Sequence, residues 1–418
     1  MELKHGYKRS EIGVIPSDWD PVPLGKIGDA MIGLTYRPED IRPHGTLVLR
    51  ASNIQNDKLA FDDNVYVGVE VPEQIMARPG DVLVCVRNGS RNLIGKAALL
   101  DERCVGMTFG AFMAVHRGQD GRLVNYLFRS EILKRQINEH LGATINQITN
   151  RSLNSFLIPF PPTEKERGRI GDALSDADAL LDGLDRLIAK KRNLKQAAMQ
   201  QLLTGKTRLP GFSGKWEVKR LGELGAFFKG SGVKKDQAQS GELRCVRYGE
   251  IYTHHHNYVR SFNSWISPTV AATAVPLRRG DILFAASGET KEEIGKCVAI
   301  HLDVEAYAGG DIVILRPSNC DPLFLGFVLN HPSIASQKAS LGQGDAVVHI
   351  SASALASIAV RLPALEEQSA VAAVLLDFDD EIAALENRRD KVQSLKRAMM
   401  QELLTGKTRL VATEAAHA

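Results

Sequence analysis

Residues 194–209 read LKQAAMQQLLTGKTRL, and residues 395–410 read LKRAMMQELLTGKTRL. Thirteen of the sixteen positions agree at a separation of 201 residues, a match that chance does not produce in a chain of 418. The chain is therefore a tandem of two halves. Weaker landmarks repeat on either side of this block. Trp19 precedes Leu24-Gly25 as Trp216 precedes Leu221-Gly222. Arg78-Pro79-Gly80-Asp81-Val82-Leu83 returns as Arg278-Arg279-Gly280-Asp281-Ile282-Leu283, and Ile94-Gly95-Lys96 as Ile294-Gly295-Lys296. Between the landmarks the halves diverge. Arg87-Asn88-Gly89-Ser90-Arg91-Asn92 stands where the second half carries Ser287-Gly288-Glu289-Thr290-Lys291-Glu292. Residues that build a scaffold match, while the polar loops between them differ.

The segment leading into each copy of the block is helical. Ile170, Ala173, Ala177, Leu180, Leu184, Leu187, Lys191, Leu194 and Ala198 advance in steps of three and four, a heptad seam. The second seam runs Val371, Val374, Phe378, Leu385, Val392, Leu395 and Met399, interrupted by Glu381 and Arg388. Pro161-Pro162 ends the preceding domain, and Thr163 with Glu164 and Glu166 starts the first helix, where acidic residues favour the positive end of the helix dipole. Gly205 caps it, and Pro210-Gly211 prevents continuation. One heptad helix cannot bury its own seam, so two in one chain bury each other. Each runs from its own globular unit toward the other, which predicts antiparallel pairing. Short apolar runs broken by Gly, Pro and Asn predict strands near 47–49, 82–86, 97–100 and 111–115, and again near 282–286, 298–301 and 312–315. The expected fold is α+β: two similar globular domains separated by two long antiparallel coiled-coil helices, in a pseudo-two-fold internal repeat. The expected boundaries are a first domain at 1–162, a first helix at 163–209, a second domain at 210–362, a second helix at 363–410 and a tail at 411–418.

The net charge of +3 argues against a wholly basic DNA binder but permits a local basic face. The polar start MELKHGYKRSE is not a signal peptide, and no run of about 18 apolar residues is present, so a cytoplasmic location is expected. Five scattered cysteines without a CxxC pair suit reduced thiols in that compartment. LTGKT lacks the earlier glycine of a P-loop: Gln200 and Gln401 stand there, at a helix end rather than after a strand. It reads as a helix cap. His254-His255-His256 has no flanking ligand pattern and reads as a polar loop rather than a metal site. With no GxSxG, HExxH or dinucleotide-binding glycine pattern either, the chain reads as non-catalytic.

Two separated domains with differing polar loops suit a ligand with two addresses on a rod, as duplex DNA is. The candidate DNA-binding residues come from the comparison of halves. Arg50, Ser52 and Asn53 correspond to Arg247, Gly249 and Glu250, and Tyr248 beside Arg247 is a further candidate. Arg87, Asn88, Ser90 and Arg91 correspond to Ser287, Thr290 and Lys291. Asn146, Gln147 and Asn150 stand before a helix where the second half has His349. Arginine reads guanine bidentately, Asn and Gln read adenine, and Glu accepts from cytosine.

The chain resembles the specificity subunit of type I restriction-modification systems. The resemblance is carried by the helix ends 201–209 and 402–410, the Ile15-Pro16-x-x-Trp19 entry, the Gly80-Asp81 and Gly280-Asp281 strand starts and the Pro-then-acidic entries to both helices. It implies that the domains are target-recognition domains, each reading half of a split double-stranded DNA site. It also implies that the helices set the gap and dock two methyltransferase subunits, with up to two restriction subunits added. No cofactor is implied for this chain; S-adenosylmethionine and ATP with magnesium are implied for the partners. The alternative is a non-catalytic, two-headed protein-interaction scaffold with a coiled-coil spacer. A stand-alone nuclease would need an acidic metal cluster, and none has convincing spacing.

Overall fold

The computed structural model describes residues 3, 5–142, 146–344 and 347–410; the expected tail at 411–418 lies outside them. The chain divides into two compact units, Met1–Asp185 with Arg388–Ala418, and Arg186–Asn387.

In the first unit a four-stranded antiparallel sheet runs in the order Ala97–Leu99, Val82–Cys85, Met113–Gly118, Gly28–Ile32. In the second the order is Cys297–Ala299, Ile282–Ala285, Ile312–Pro317, Gly225–Lys229. These are the same four strands built twice. The central strands, VLVC and ILFA, are buried at every position. Alternate side chains of a strand face opposite sides. Val82 and Val84 accordingly join one core with the helices, while Leu83 and Cys85 join another with a second small sheet. Ile282 and Phe284, and Leu283 and Ala285, divide in the same way. Two buried faces explain why these strands are unbroken apolar runs.

The Gly-Asp landmarks now have a physical role. Gly80 and Gly280 turn in the left-handed region, with φ of 89° and 99°, which a side chain would strain. Asp81 and Asp281 follow, 2% and 0% exposed. Each accepts the backbone N–H three residues earlier and a two-pronged guanidinium from the adjacent strand, Arg117 in one unit and Arg316 in the other. A buried carboxylate is tolerated because its partners satisfy both oxygens.

The long helices are Glu164–Leu202 and Leu365–Leu403, 39 residues each. Within the first unit Glu166 pairs with Arg409, Asp178 with Lys396 and Asp185 with Arg389. Within the second, Lys191 pairs with Glu381, Lys195 with Asp379 and Arg208 with Glu367. As one residue number rises the other falls, so the helical segments run antiparallel in each unit.

The seam differs from expectation by one residue at every second position. Ile170 and Leu184 are buried as expected, but Leu174, Leu181 and Ile188 complete the seam. Leu180, Leu187 and Leu194 are 42%, 39% and 45% exposed. The second helix slips identically: Leu375 and Ile382 are buried, and Leu395 is 59% exposed. Adjacent apolar residues at 180–181 and 187–188 leave two seams open to a sequence pattern. At the next turn the inward position is Lys195, not Leu194. Its stem is partly buried and its ammonium lies 2.6 Å from Asp379. Lys396 and Asp178 repeat this pair in the first unit.

The near-identical helix ends are clasps. Gly205 and Gly406 adopt φ of 68° and 70°, ending each helix in the left-handed cap, and a Cβ on either would lie 3.2 Å from the Trp216 or Trp19 ring. Arg208 stacks over Trp216, with its guanidinium 5.8 Å from the ring centroid, and Arg409 over Trp19 at 5.5 Å. The same guanidiniums grip the buried carboxylates of Glu367 and Glu166, in the first turns of the long helices. One motif thus joins a helix end, an entering tryptophan and a helix start. Gly, Arg, Trp and Glu are each constrained by the others, which accounts for the recurrence of these four in both units.

Candidate nucleic-acid interface

In each unit the central sheet strand emerges into a polar loop, and a later segment comes back to pair with it. In the first, Ile148 donates its N–H to the Val86 carbonyl at 2.8 Å, and Arg87 and Gln147 form an antiparallel bridge. In the second, Ile350 donates to the Ala286 carbonyl at 3.0 Å, and Ser287 pairs with His349. A third segment joins each edge. Phe112 accepts from the Arg87 N–H, and nearby Gly110 donates to the Leu49 carbonyl; Gly309 donates to the Val246 carbonyl in the same way. Residues far apart in sequence are thereby set on one edge by backbone bonds alone.

The side chains on these edges differ. In the first unit Arg87 is exposed, with its guanidinium 5.1 Å from the centroid of the Phe112 ring, itself 57% exposed. Asn146 is exposed beside it, and Gln147 is half-buried. Asn88 accepts the Ser90 N–H at 2.9 Å and so shapes the loop, leaving Ser90 exposed. Asn150 opens the helix Asn150–Ser155, half-buried, with its side-chain oxygen lacking a hydrogen-bond partner. In the second unit the Ser287 hydroxyl and His349 Nδ1 lie 2.9 Å apart, with the serine buried and the histidine exposed. Thr290 and Lys291 are exposed on the following loop. Tyr248, 40% exposed, presents its ring beside Arg247 in the chain.

Two expected contacts, Asn53 and Glu250, are corrected by their burial, and two further candidates, Arg247 and Arg91, are engaged within the chain. Asn53 is fully buried; its side chain accepts the Arg50 N–H and donates to the Ala60 carbonyl. Glu250, 2% exposed, accepts the Arg247 N–H in the equivalent turn. Both are local caps, and the two residue types interchange because the turn needs only an acceptor. Arg247 spends its guanidinium on Glu250 and the Ser264 hydroxyl. Arg91 donates to the Gly142 and Asn138 carbonyls at 2.6 and 2.9 Å, closing the C-terminal end of the helix Glu131–Leu141. Arg50 is partly held in the same manner, by Asp63 at 2.9 Å. Phe112 was missed, because an isolated apolar residue carries no signal of exposure.

The histidine triplet does not converge. His255 is buried, His254 bonds the Thr253 hydroxyl, and His256 is exposed. Among the described residues no group of His, Cys, Asp or Glu is placed to hold a metal, and no helix is long and apolar enough to cross a membrane. All five thiols are free.

Comparison with known proteins agrees with the doubled architecture. The family model described as the type I restriction modification DNA specificity domain matches twice, over residues 16–191 and 213–394. A Methanocaldococcus jannaschii protein named "Putative type I restriction enzyme MjaX specificity subunit" is 25% identical over 441 residues, covering 97% of each chain. The crystal structure of a type I restriction-modification S subunit from M. genitalium superposes with a TM-score of 0.59 at 15% identity, covering 97% of this chain and 98% of that one. A chain from a structure concerned with complex assembly and conformational transition of the type I R-M system gives 0.57 at 19% identity, over 94% and 99%. With its domain matched once in each half and over most of its length, the chain belongs to the type I restriction modification DNA specificity family.

Proposed function

We propose that the chain recognises a DNA site in two parts, one part by each half, and directs adenine methyltransferase subunits to it. The observation that carries this reading is the edge built twice on one backbone frame with different side chains. Arg87 offers paired donors suited to guanine, Gln147 an amide suited to adenine, and His349 a ring that donates or accepts. A single repeated ligand would call for matched edges; two different half-sites call for these.

The partners are DNA and the other subunits of the restriction-modification system. Two methyltransferase subunits and up to two restriction subunits complete the proposed complex. S-adenosylmethionine, ATP and magnesium act in those partners, and the complex works in the cytoplasm. The test is a genome-wide map of adenine methylation in the source cell with and without this chain. The expected result is loss of one split motif. An unchanged map in a cell whose methyltransferase subunits are expressed and active would refute the reading.

A further inference from the structure

The Ile-Gly-Lys landmark is not used by the edges or the clasps. Gly95 and Gly295 are again left-handed, with φ of 87° and 69°, and each lets a side chain of a neighbouring helix approach closely: Ile137 in the first unit, Lys338 in the second. In both units the turn forms the wall of a cleft, about 280 Å³ in the first and about 430 Å³ in the second. The frame is shared, but the charge is not.

The first cleft is lined by Arg91, Lys96, Arg129 and Lys134 against a single acid, Asp57. Arg129 is held by Asp57 and Asp178, and Lys134 lies 3.4 Å from Glu131. The ammonium of half-buried Lys96 has no hydrogen bond or ion pair among the described residues. The second cleft places Lys195, Lys296 and Lys338 against Glu292, Glu293 and Asp379. Its lysines are already engaged: Lys296 by the Tyr252 carbonyl at 3.1 Å, Lys338 by the Gly295 carbonyl at 2.7 Å, and Lys195 by Asp379. One cleft therefore carries an excess of cations over acids in its lining and an unpaired ammonium, and its counterpart is balanced.

We infer that the first cleft binds a backbone phosphate of the DNA duplex through Lys96, while the equivalent cleft of the second unit does not. The inference rests on the proposed DNA-reading role. Arg91 belongs both to the cleft wall and to the loop that begins at Arg87, which makes the cleft a neighbour of that edge along the chain. Phosphate contacts position a protein without reading sequence, and each releases counterions, which makes it visible as salt dependence. An acidic segment of a partner subunit is the competing occupant, and the test separates it.

The experiment uses the full chain assembled with its methyltransferase subunits. Affinity for cognate and unrelated duplexes is measured over a salt series for the unaltered chain, Lys96→Ala, Lys96→Arg and Lys296→Ala. Lys96→Ala is expected to reduce the slope of log affinity against log salt by about 0.9 and to weaken both duplexes alike. Lys96→Arg is expected to restore the slope, and Lys296→Ala to leave it unchanged. An unaltered slope in Lys96→Ala would overturn the inference. So would impaired assembly with the methyltransferase subunits at normal slope, which would assign the cleft to a protein partner. If the unaltered complex shows no preference for a split motif, the two-part reading fails, while the salt slope still decides the cleft.

Discussion

The two edges share their backbone bonds and almost none of their displayed chemistry. In the first half a guanidinium lies over an exposed phenyl ring beside an amide; in the second a serine is bonded to an exposed histidine. The clasps behave in the opposite way, with Gly, Arg, Trp and Glu preserved in both units. A position whose neighbours are all in the same chain is constrained by them. A position that faces outward is constrained by whatever it meets, and the two edges display different side chains.

The sharpest way to break this comparison is at a clasp. Arg409→Ala leaves Glu166 buried without its partner and removes the stacking on Trp19, and is expected to destabilise the first unit by about 3 kcal/mol. Arg208→Ala should act in the same direction on the second unit. Chemical denaturation with probes in each unit reads both, and a stable Arg409→Ala protein would refute the clasp.

The corrected seams give the next effect. Leu174→Ala and Leu375→Ala, fully buried in the cores of their respective units, should each cost roughly 2–4 kcal/mol, whereas Leu187→Ala should change stability by about 0.5 kcal/mol or less. Equal losses at Leu187 and Leu174 would restore the seam expected from the pattern.

At the edges, Arg87→Ala and His349→Ala should each cost about 1–3 kcal/mol of DNA binding and relax opposite halves of the motif. Relaxation of the same half by both would end the one-edge, one-half-site reading. Asn53→Ala, by contrast, should lower stability by about 1 kcal/mol and leave the motif intact, since that side chain is a buried cap.

The smallest expected change exchanges a difference between the halves. Lys338 abuts Gly295 where Ile137 abuts Gly95, and burial pushes its pKa down. A lowered lysine pKa means that the folded state binds its proton less readily than the unfolded chain. The penalty is thus complete below the folded value and is relieved as pH rises through it toward the unfolded value of about 10.4. Lys338→Ile should therefore stabilise the protein at neutral pH by about 1 kcal/mol and flatten the alkaline rise in stability. A lower melting temperature at pH 7 would show that the Gly295 hydrogen bond outweighs the burial.

Much of the candidate site was legible because the chain supplies its own comparison. Arg87, Gln147, Ser287 and His349 were singled out by unmatched loops between matched landmarks. Asn53 and Glu250 were singled out by the same test, yet they differ only because one turn accepts either side chain. Phe112 left no trace, since exposure is not written in an isolated residue.

Sequence alone determined the doubling, the α+β class, the two long helices and the segments that would diverge, because repetition and periodicity are read along the chain without knowing which residues meet in space. The tertiary structure decided which leucines face inward, which charged groups are spent on carbonyls and carboxylates, and which are left for a partner. Those outcomes depend on distant neighbours, 51 positions away between Arg91 and Gly142 and 243 between Glu166 and Arg409, and no local pattern encodes such a meeting.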